Sequence, residues 1–362
     1  MKIIAFYLPQ FHTIPENDEW WGEGFTEWTN TKKSTPLFNN HYQPREPLND
    51  NYYNLLEEKT KLWQIDLAKK HGIYGFCYYH YWFNGKMVLQ KPLEQVLANK
   101  NIDFPFCISW ANEPWTRSWD GRTNEVLLSQ SYGDREDWES HFDYMQQFFR
   151  DSRYIKIENK PILVIYKVES IPNHQELFDF WISKAKENGF DGLYIVETLN
   201  GLQKNEVSNI SKAVIQFEPN YTIHHDRPLI DKLKNKIINL TKMPFKGKKF
   251  YKTMDYDITW KRILKRKMKI DNKKVFLGAF IDWDNTARKG DNALVFHGAT
   301  PKKFEDYLKK QIKKGREQYQ SDFLFLNAWN EWAEGTYLEP DKKNGYAYLE
   351  AVKNASNKNE KL

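Results

Sequence analysis

Cysteine is scarce in this sequence. Cys77 and Cys107 are the two cysteines among 362 residues, each lies in an apolar run, and neither stands at Cys-x-x-Cys or Cys/His metal-ligand spacing. We therefore expect two buried free thiols in a reducing compartment, rather than a disulfide or a zinc site.

Long apolar runs are also absent. The N-terminal run 3–8 is too short for the apolar region of a signal peptide, and no run approaches the length that crosses a bilayer. The formal net charge of +6 is modest, and the excess lies mainly within 232–274. We expect a cytoplasmic protein without a transmembrane segment and without a nucleic-acid footprint.

Glycine-rich turns of the dinucleotide-binding type are missing. The first predicted strand is followed by Pro9-Gln10-Phe11-His12, where a Rossmann-type fold would place its phosphate-binding turn. Aromatic residues, in contrast, make up 16% of the chain. This content suggests a ligand rich in C–H faces, although much of it must form the core.

Short apolar runs alternate with longer amphipathic segments along the whole chain. The runs predict strands at 2–8, 73–79, 104–110, 161–166, 192–197, 213–217, 274–281 and 322–328. Helical periodicity falls at 55–70, 88–99, 138–149, 177–186, 304–318 and about 346–354.

This order of elements predicts a single (β/α)8 barrel domain over 1–362, and it fits an open doubly wound sheet less well. A basic insertion at 221–273, between the sixth and seventh strands, is the candidate for a subdomain or an excursion over the barrel mouth. A solvated, partly helical loop is its simpler interpretation, and peripheral contact with anionic lipid or polymer is the alternative.

The stretch 322–341 carries the strongest chemical signal. An apolar run ends there in Trp329-Asn330-Glu331-Trp332-Ala333-Glu334. Two glutamates three apart project to one side of a turn, and paired carboxyls can break or make a glycosidic bond. The structural alternative is that the acids begin a helix, where they favour its exposed amides.

Polar residues just past each strand should converge on the mouth of a barrel. Each alone has a structural explanation, such as a hydrogen-bonding histidine or a turn-capping aspartate. Several carboxylates gathered together are costly unless function or pairing, for example with Lys167 or Arg288, offsets the repulsion. The predicted sugar-binding residues are Gln10, His12, Glu27, Trp28, His80, Trp110, Asn112, Glu113, Trp115, Asp284, Arg288, Trp329, Asn330 and Trp332.

Several long motifs together resemble one known family. The segments 5–12, 20–28, 110–115, 283–288 and 329–336 are similar, in order, to the WbsX-type family. The resemblance implies a role in lipopolysaccharide O-antigen or capsule biosynthesis, where members are usually described as glycosyltransferases.

The last motif also resembles, more distantly, glycoside hydrolase family 99, the endo-α-mannosidases and endo-α-1,2-mannanases. That resemblance implies a metal-independent retaining enzyme without a cofactor. Glu331 would act as a base on the 2-hydroxyl of the substrate, giving a 1,2-anhydro sugar, and Glu334 would act as the acid and then the base at the departing and incoming oxygens.

Three functions follow from these observations. The first is a glycoside hydrolase or transglycosylase that acts on an oligosaccharide or polysaccharide through Glu331 and Glu334. The second is a nucleotide-sugar-dependent glycosyltransferase. Against it, the sequence has no phosphate-binding turn after the first strand and no convincing Asp-x-Asp metal motif in the usual context; the tripeptide Asp282-Trp283-Asp284 is weak evidence. The third is a non-catalytic glycan-binding barrel.

Overall fold

Eight parallel strands form a closed barrel in the computed structural model, which describes residues 1–117, 125–201, 207–226 and 251–357. The strands are β1 (Lys2–Tyr7), β2 (Ile73–Phe83), β3 (Phe106–Trp110), β4 (Lys160–Ile165), β5 (Tyr194–Leu199), β6 (Ala213–Gln216), β7 (Lys274–Phe280) and β8 (Phe323–Asn327). Sequence neighbours pair throughout, and β1 closes the barrel between β8 and β2. The predicted (β/α)8 fold is confirmed.

Helices connect the strands on the outside of the barrel. Those in the described residues are Pro15–Trp21, Glu27–Lys33, Glu58–Lys70, Lys91–Ala98, Arg135–Phe149, His174–Glu187, Asn220–His225, Tyr256–Lys265, Thr286–Lys289, Pro301–Gln318 and Ala347–Ser356. Short 3-10 turns are Leu48–Asp50, Val168–Ser170, Gly290–Asn292 and Trp332–Glu334. Short additional strands are Lys86–Val88, Trp115–Thr116, Val126–Leu128, Lys156–Ile157, Lys252–Asp255, Leu294–His297, Asn330–Glu331 and Thr336–Tyr337.

Aromatic side chains pack within the barrel core. The Phe6 ring lies 5.1 Å from the Phe217 ring and 5.7 Å from the Phe325 ring, and all three are buried. Full burial of each phenylalanine stabilises the fold by roughly 1.5–3 kcal/mol. Much of the high aromatic content is therefore core. The two cysteines are free and buried, on paired strands β2 and β3.

The segment after β1 contains helices that the sequence did not predict. Pro15–Trp21 and Glu27–Lys33 lie in what reads as a long aromatic loop, and they are short enough for their periodicity to be hidden. The second of these helices carries Glu27, which proves central to the site described below.

The predicted excursion at 221–273 is in part an ordinary barrel connection. Its basic run 261–267 falls largely on helix Tyr256–Lys265, whose Trp260 ring stacks on Phe280 of β7 at 5.4 Å. Arg266 is mostly buried and pairs with Glu218 at 2.5 Å. This run is therefore attached to the barrel wall, while the basic segment 246–249 lies outside the described residues.

Within the parts of the chain that the structure describes, none of the helices has both the length and the apolar character needed to cross a bilayer.

Candidate active site

One buried arginine holds three carboxylates at the mouth of the barrel. Arg288 donates from Nε to Oε1 of Glu27 at 2.8 Å, from Nη1 to Oε1 of Glu334 at 2.7 Å, and from Nη2 to Oε2 of Glu331 at 3.1 Å. Glu27 and Glu331 are buried, whereas 24% of the Glu334 side chain is exposed. The planar, forked guanidinium suits several charge-assisted bonds at once.

The local backbone brings the two glutamates of the last motif together. Glu331 immediately precedes the 3-10 turn Trp332–Glu334, and side chains three residues apart lie above one another in such a turn. The predicted shared orientation of Glu331 and Glu334 therefore has a structural basis.

The turn ends at Gly335, whose φ of +66° favours glycine. A Cβ at Gly335 would lie 2.9 Å from the backbone of Asp284, so an added side chain would meet the loop after β7. The Asp284 amide also donates to the Glu334 carbonyl at 2.8 Å. Close approach of these loops places Arg288, on the next helix, beside both acids.

Burial dominates the electrostatics of Glu331. Desolvation raises the pKa of its carboxyl to about 8, and the charges of Glu334 and Glu27 add to the increase, while Arg288 opposes it. Of the two acids, Glu331 is the more deeply buried.

A cavity of about 270 Å³ opens onto Glu331, Glu334 and Arg288. Aromatic and polar side chains form the remaining wall, and its main members are Tyr79, Tyr81, Glu113, Trp115, Tyr166, Phe217, Asn220 and Lys289. Rings next to acids and hydrogen-bonding groups suit a sugar, which presents both apolar faces and hydroxyls. Of the predicted binding residues, Glu113, Trp115 and Arg288 line this cavity.

The side chains of Asn112 and Asn330 each form two hydrogen bonds to the backbone that follows a neighbouring strand. The Asn330 side chain accepts from the Leu8 amide at 2.8 Å and donates to the Leu8 carbonyl at 3.0 Å. The Asn112 side chain does the same with Lys167, at 2.8 and 2.7 Å. Both side chains are buried and neither lines the cavity, so the structure places them in supporting positions. The Lys167 ammonium lies 3.3 Å from the Glu113 carboxylate at the cavity edge.

Trp329 and Trp332 do not form the predicted cavity wall. Both are fully buried, and their indoles donate to the carboxylate of Glu339 at 3.0 and 2.7 Å. Gln64 and Tyr53 donate to the same carboxylate at 2.7 and 2.8 Å. Even with these four donors, burial raises the pKa of Glu339 to about 7. The indole N–H groups of Trp329 and Trp332 thus donate to a buried acid, Glu339, that the sequence pattern does not indicate.

His80 and Trp110 also lie away from the cavity. β2 continues to Phe83, beyond its predicted end, so alternation along the strand brings Tyr79 and Tyr81 to the cavity and turns His80 away. His80 lies 2.9 Å from the ring nitrogen of buried His141. The buried Trp110 indole lies 3.3 Å from the Trp82 carbonyl. The structure places His80 away from the cavity because β2 is longer than its apolar run suggested, whereas Trp110 ends β3 as predicted and is buried.

Three residues from the first motifs lie outside the acidic cavity. Gln10 is buried, and its carbonyl accepts from the Glu27 amide at 3.0 Å, which places it at the start of the Glu27–Lys33 helix. His12 and Trp28 line a different groove. Gln10, His12 and Trp28, which the sequence predicts to bind sugar, therefore do not line the acidic cavity. Glu27 reaches the acid cluster through Arg288.

Asp284 holds the loop between β7 and the Arg288 helix. Its carboxylate accepts from Gln43 at 2.7 Å and lies 2.8 Å from a ring nitrogen of His41. The hydrogen bond from His41 and the charge of Arg45 outweigh burial and keep the pKa of Asp284 well below its usual value. Asp282 lies 2.9 Å from Arg45. These partners hold Asp284 within the loop, and it does not line the cavity.

The residues of the candidate site provide carboxylates that could attract a cation, but Arg288 already contacts three of them. Over the described ranges, no group of three or more histidine, cysteine, aspartate or glutamate side chains is arranged to hold a metal ion.

Comparison with known sequences gives a match over almost the whole chain. The family described as Glycosyltransferase WbsX matches residues 3–352. Two proteins named WxcX, from two strains of Xanthomonas campestris pv. campestris, are 32% and 33% identical over 98% of this chain. The match covers 49% of each, so the chain spans about half the length of these relatives.

Solved structures share the barrel at low sequence identity. A glycoside hydrolase-like protein superposes with a TM-score of 0.58 and 14% identity, over 98% of this chain and 93% of that protein. The GH99 endo-alpha-mannosidase from Bacteroides thetaiotaomicron gives a TM-score of 0.56 at 13% identity, over 98% and 95% of the two chains. At these identities the likeness establishes the fold.

Proposed function

This chain belongs to the Glycosyltransferase WbsX family, and on that premise we propose that it is a carbohydrate-active enzyme acting on an α-linked surface polysaccharide, such as an O-antigen or capsule. The observation that carries the proposal is the placement of Glu331 and Glu334 on one guanidinium, at the wall of a cavity lined by aromatic rings. We further propose an endo-acting hydrolase or transglycosylase that retains anomeric configuration.

In the first step, the Glu331 carboxylate removes the proton from the 2-hydroxyl of the substrate. The 2-oxygen then attacks the anomeric carbon as the glycosidic bond breaks, which gives a 1,2-anhydro sugar. Glu334 donates its proton to the departing oxygen, so no charge accumulates there. A base whose pKa burial raises to about 8 binds this proton more tightly than an ordinary carboxylate would.

In the second step, the Glu334 carboxylate removes a proton from water or from an acceptor hydroxyl. The resulting oxygen attacks the anomeric carbon and opens the anhydro ring, and Glu331 returns its proton to the 2-oxygen. Two displacements at one carbon restore the original configuration. Hydrolysis and transfer differ only in the acceptor, and no cofactor or metal takes part in these steps.

Arg288 is the positioning residue in this scheme. Its Nη2 and Nη1 groups fix Glu331 and Glu334, and its Nε is held by Glu27 on a separate helix. A preorganised pair of acids needs little rearrangement during reaction, which is the condition for efficient proton transfer.

The second candidate is a glycosyltransferase that uses a nucleotide sugar, and the family description favours it. In that case the Lys167, Arg288 and Lys289 cations around the cavity would face the donor phosphates. A glycan-binding barrel without turnover is the third.

One experiment distinguishes the three candidate functions. The protein is incubated with α-linked oligosaccharides and the surface polysaccharide of its host, with and without nucleotide sugars and Mn²⁺, and the products are analysed by mass spectrometry. Cleavage or transfer in the absence of both additions is the expected result. A strict requirement for a nucleotide sugar would favour the second candidate, and binding without products would favour the third.

A further inference from the structure

A second groove lies on another side of the helix that carries Glu27. Its volume is about 570 Å³, and its lining includes His12, Thr26, Thr29, Lys32, Lys33 and Tyr52. The helix Glu27–Lys33 presents Glu27 to Arg288, whereas Thr29, Lys32 and Lys33 line the groove. The groove shares none of its described lining residues with the acidic cavity.

His12 provides a hydrogen-bond acceptor at this groove. Its Nδ1 lies 3.0 Å from the Pro9 carbonyl, so Nδ1 carries the proton and Nε2 is the acceptor. Burial lowers the pKa of His12 to about 4, which keeps the ring neutral at physiological pH. His12 is 1% exposed, and among the described residues Nε2 has no hydrogen-bond partner. An unsatisfied buried acceptor favours a ligand that brings a hydroxyl donor.

Tyr52 supplies an aromatic surface with a cation above it. The Lys32 ammonium lies 3.9 Å from the centre of the half-buried Tyr52 ring, and the Trp28 ring meets the Tyr52 ring edge-on at 5.2 Å. The ring face holds the Lys32 ammonium by a cation–π contact, and the positioned ammonium can pair with the carboxylate of a sugar. Contact with Trp28 restrains the Tyr52 ring, which limits the entropy lost on binding.

The charge of the groove is opposite to that of the acidic cavity. Its described lining includes Lys32 and Lys33 and contains no carboxylate, whereas Glu113, Glu331 and Glu334 line the cavity. Two nearby acids, Glu46 and Asp50, are paired with Lys342 at 3.0 and 2.7 Å. The groove therefore favours an anionic ligand.

We propose that this groove binds an acidic saccharide, with its carboxylate at Lys32, which Tyr52 positions, and a hydroxyl donated to Nε2 of His12. The site lies apart from the proposed catalytic cavity and does not depend on turnover. A polymer with uronic acid units could thus be held at two places, which raises its local concentration at the cavity.

The test is isothermal titration of the full chain with tetragalacturonate and with maltotetraose, an α-linked tetrasaccharide without carboxylates. Binding of tetragalacturonate with a Kd of about 1 mM or tighter, at least ~10-fold tighter than maltotetraose, is expected. Lys32→Gln and Tyr52→Ala should each weaken the binding of tetragalacturonate at least ~5-fold, a loss of about 1 kcal/mol in binding free energy. Lys310→Gln is the matched control, because Lys310 also lies over a tyrosine, 5.6 Å from the Tyr307 ring.

The titration is repeated with Glu331→Gln, which separates this site from the proposed catalysis. Unchanged affinity in that variant supports the groove, whatever the activity of the enzyme proves to be. Equal affinity for both tetrasaccharides, no binding of tetragalacturonate, or binding that survives both Lys32→Gln and Tyr52→Ala would overturn the proposal. Circular dichroism and thermal melts confirm that the variants are folded.

Discussion

Arg288 donates from Nε to the carboxylate of Glu27 at 2.8 Å, across 261 residues of sequence. Both side chains are buried, and the same guanidinium contacts Glu331 and Glu334. One cation therefore faces three acids, and negative charge is in excess if all three ionise. Protonation of one acid relieves that excess, which makes the cluster sensitive to pH.

Replacing Glu27 should shift the pH dependence of activity. Glu331 must be ionised to act as a base, so kcat/KM should rise with pH through an apparent pKa near 8 that belongs to the coupled acids. Glu27→Gln keeps an oxygen for Arg288 but removes a like charge, so this apparent pKa should fall. The check is kcat/KM from pH 5 to 9, with the exposed Glu317→Gln as control. If kcat/KM rose through the same apparent pKa in Glu27→Gln and Glu317→Gln, the charge of Glu27 would not be coupled to Glu331.

Glu331→Gln should change how stability depends on pH. Folding raises the pKa of Glu331 to about 8, from about 4.3 in an unfolded chain. The protonated acid therefore stabilises the fold fully below the unfolded value, and this contribution is lost as the pH rises through about 8. Glutamine does not titrate, so Tm of Glu331→Gln minus Tm of wild type should increase between pH 5 and 8.5.

Differential scanning fluorimetry at a series of pH values measures that difference. Glu317→Gln, on the surface, should keep a constant offset from wild type over the same range. A constant or decreasing offset for Glu331→Gln would show that burial does not raise the pKa of this carboxyl.

Arg288→Met should destabilise the protein strongly. It leaves Glu27 and Glu331 buried without their cation, a change that costs about 3–5 kcal/mol for buried pairs. Lys70→Met is the control, because it removes an exposed pair with Asp66 at 2.6 Å, worth about 0–1 kcal/mol. Urea unfolding at pH 7 compares them, and similar losses would contradict the central position of Arg288.

Trp115 and Trp329 should respond differently to replacement by phenylalanine. Trp115 lines the acidic cavity and packs against Tyr81, so Trp115→Phe should raise KM several-fold and also cost some stability through the void it leaves. Trp329→Phe removes a donor to buried Glu339 and should cost about 1–3 kcal/mol while KM changes little. Kinetics and urea unfolding of both variants test this. A raised KM in Trp329→Phe but not in Trp115→Phe would indicate that Trp329, and not Trp115, contacts the substrate.

The strand order was predictable because parallel barrel strands are buried on both faces and appear as continuous apolar runs. All of β1 to β8 match predicted strands to within a few residues at each end, apart from β2. Strand β2 contains Tyr79, His80 and Tyr81 without a break in aromatic character, so its end was hidden. That error of four residues reversed which side chains face the cavity.

The site was harder to predict because its geometry depends on contacts between distant loops. The spacing of Glu331 and Glu334 was informative, since a turn brings residues three apart together. Nothing local indicates that Trp329 and Trp332 turn their N–H groups to Glu339. Tyr166 and Phe217 lie at or after strand ends, and only closure of the barrel brings them beside the acids.

The most direct test of the proposed chemistry uses a glycosyl fluoride of the cleaved sugar, with azide as an added nucleophile. Fluoride leaves without an acid, and azide attacks without a base, so Glu334→Gln should lose about 10²–10⁴-fold on the polysaccharide but form glycosyl azide of retained configuration. Glu331→Gln should remain inactive on both substrates, because the anhydro sugar cannot form without its base. Azide of inverted configuration, or rescue of Glu331→Gln instead of Glu334→Gln, would contradict the assignment of the two acids.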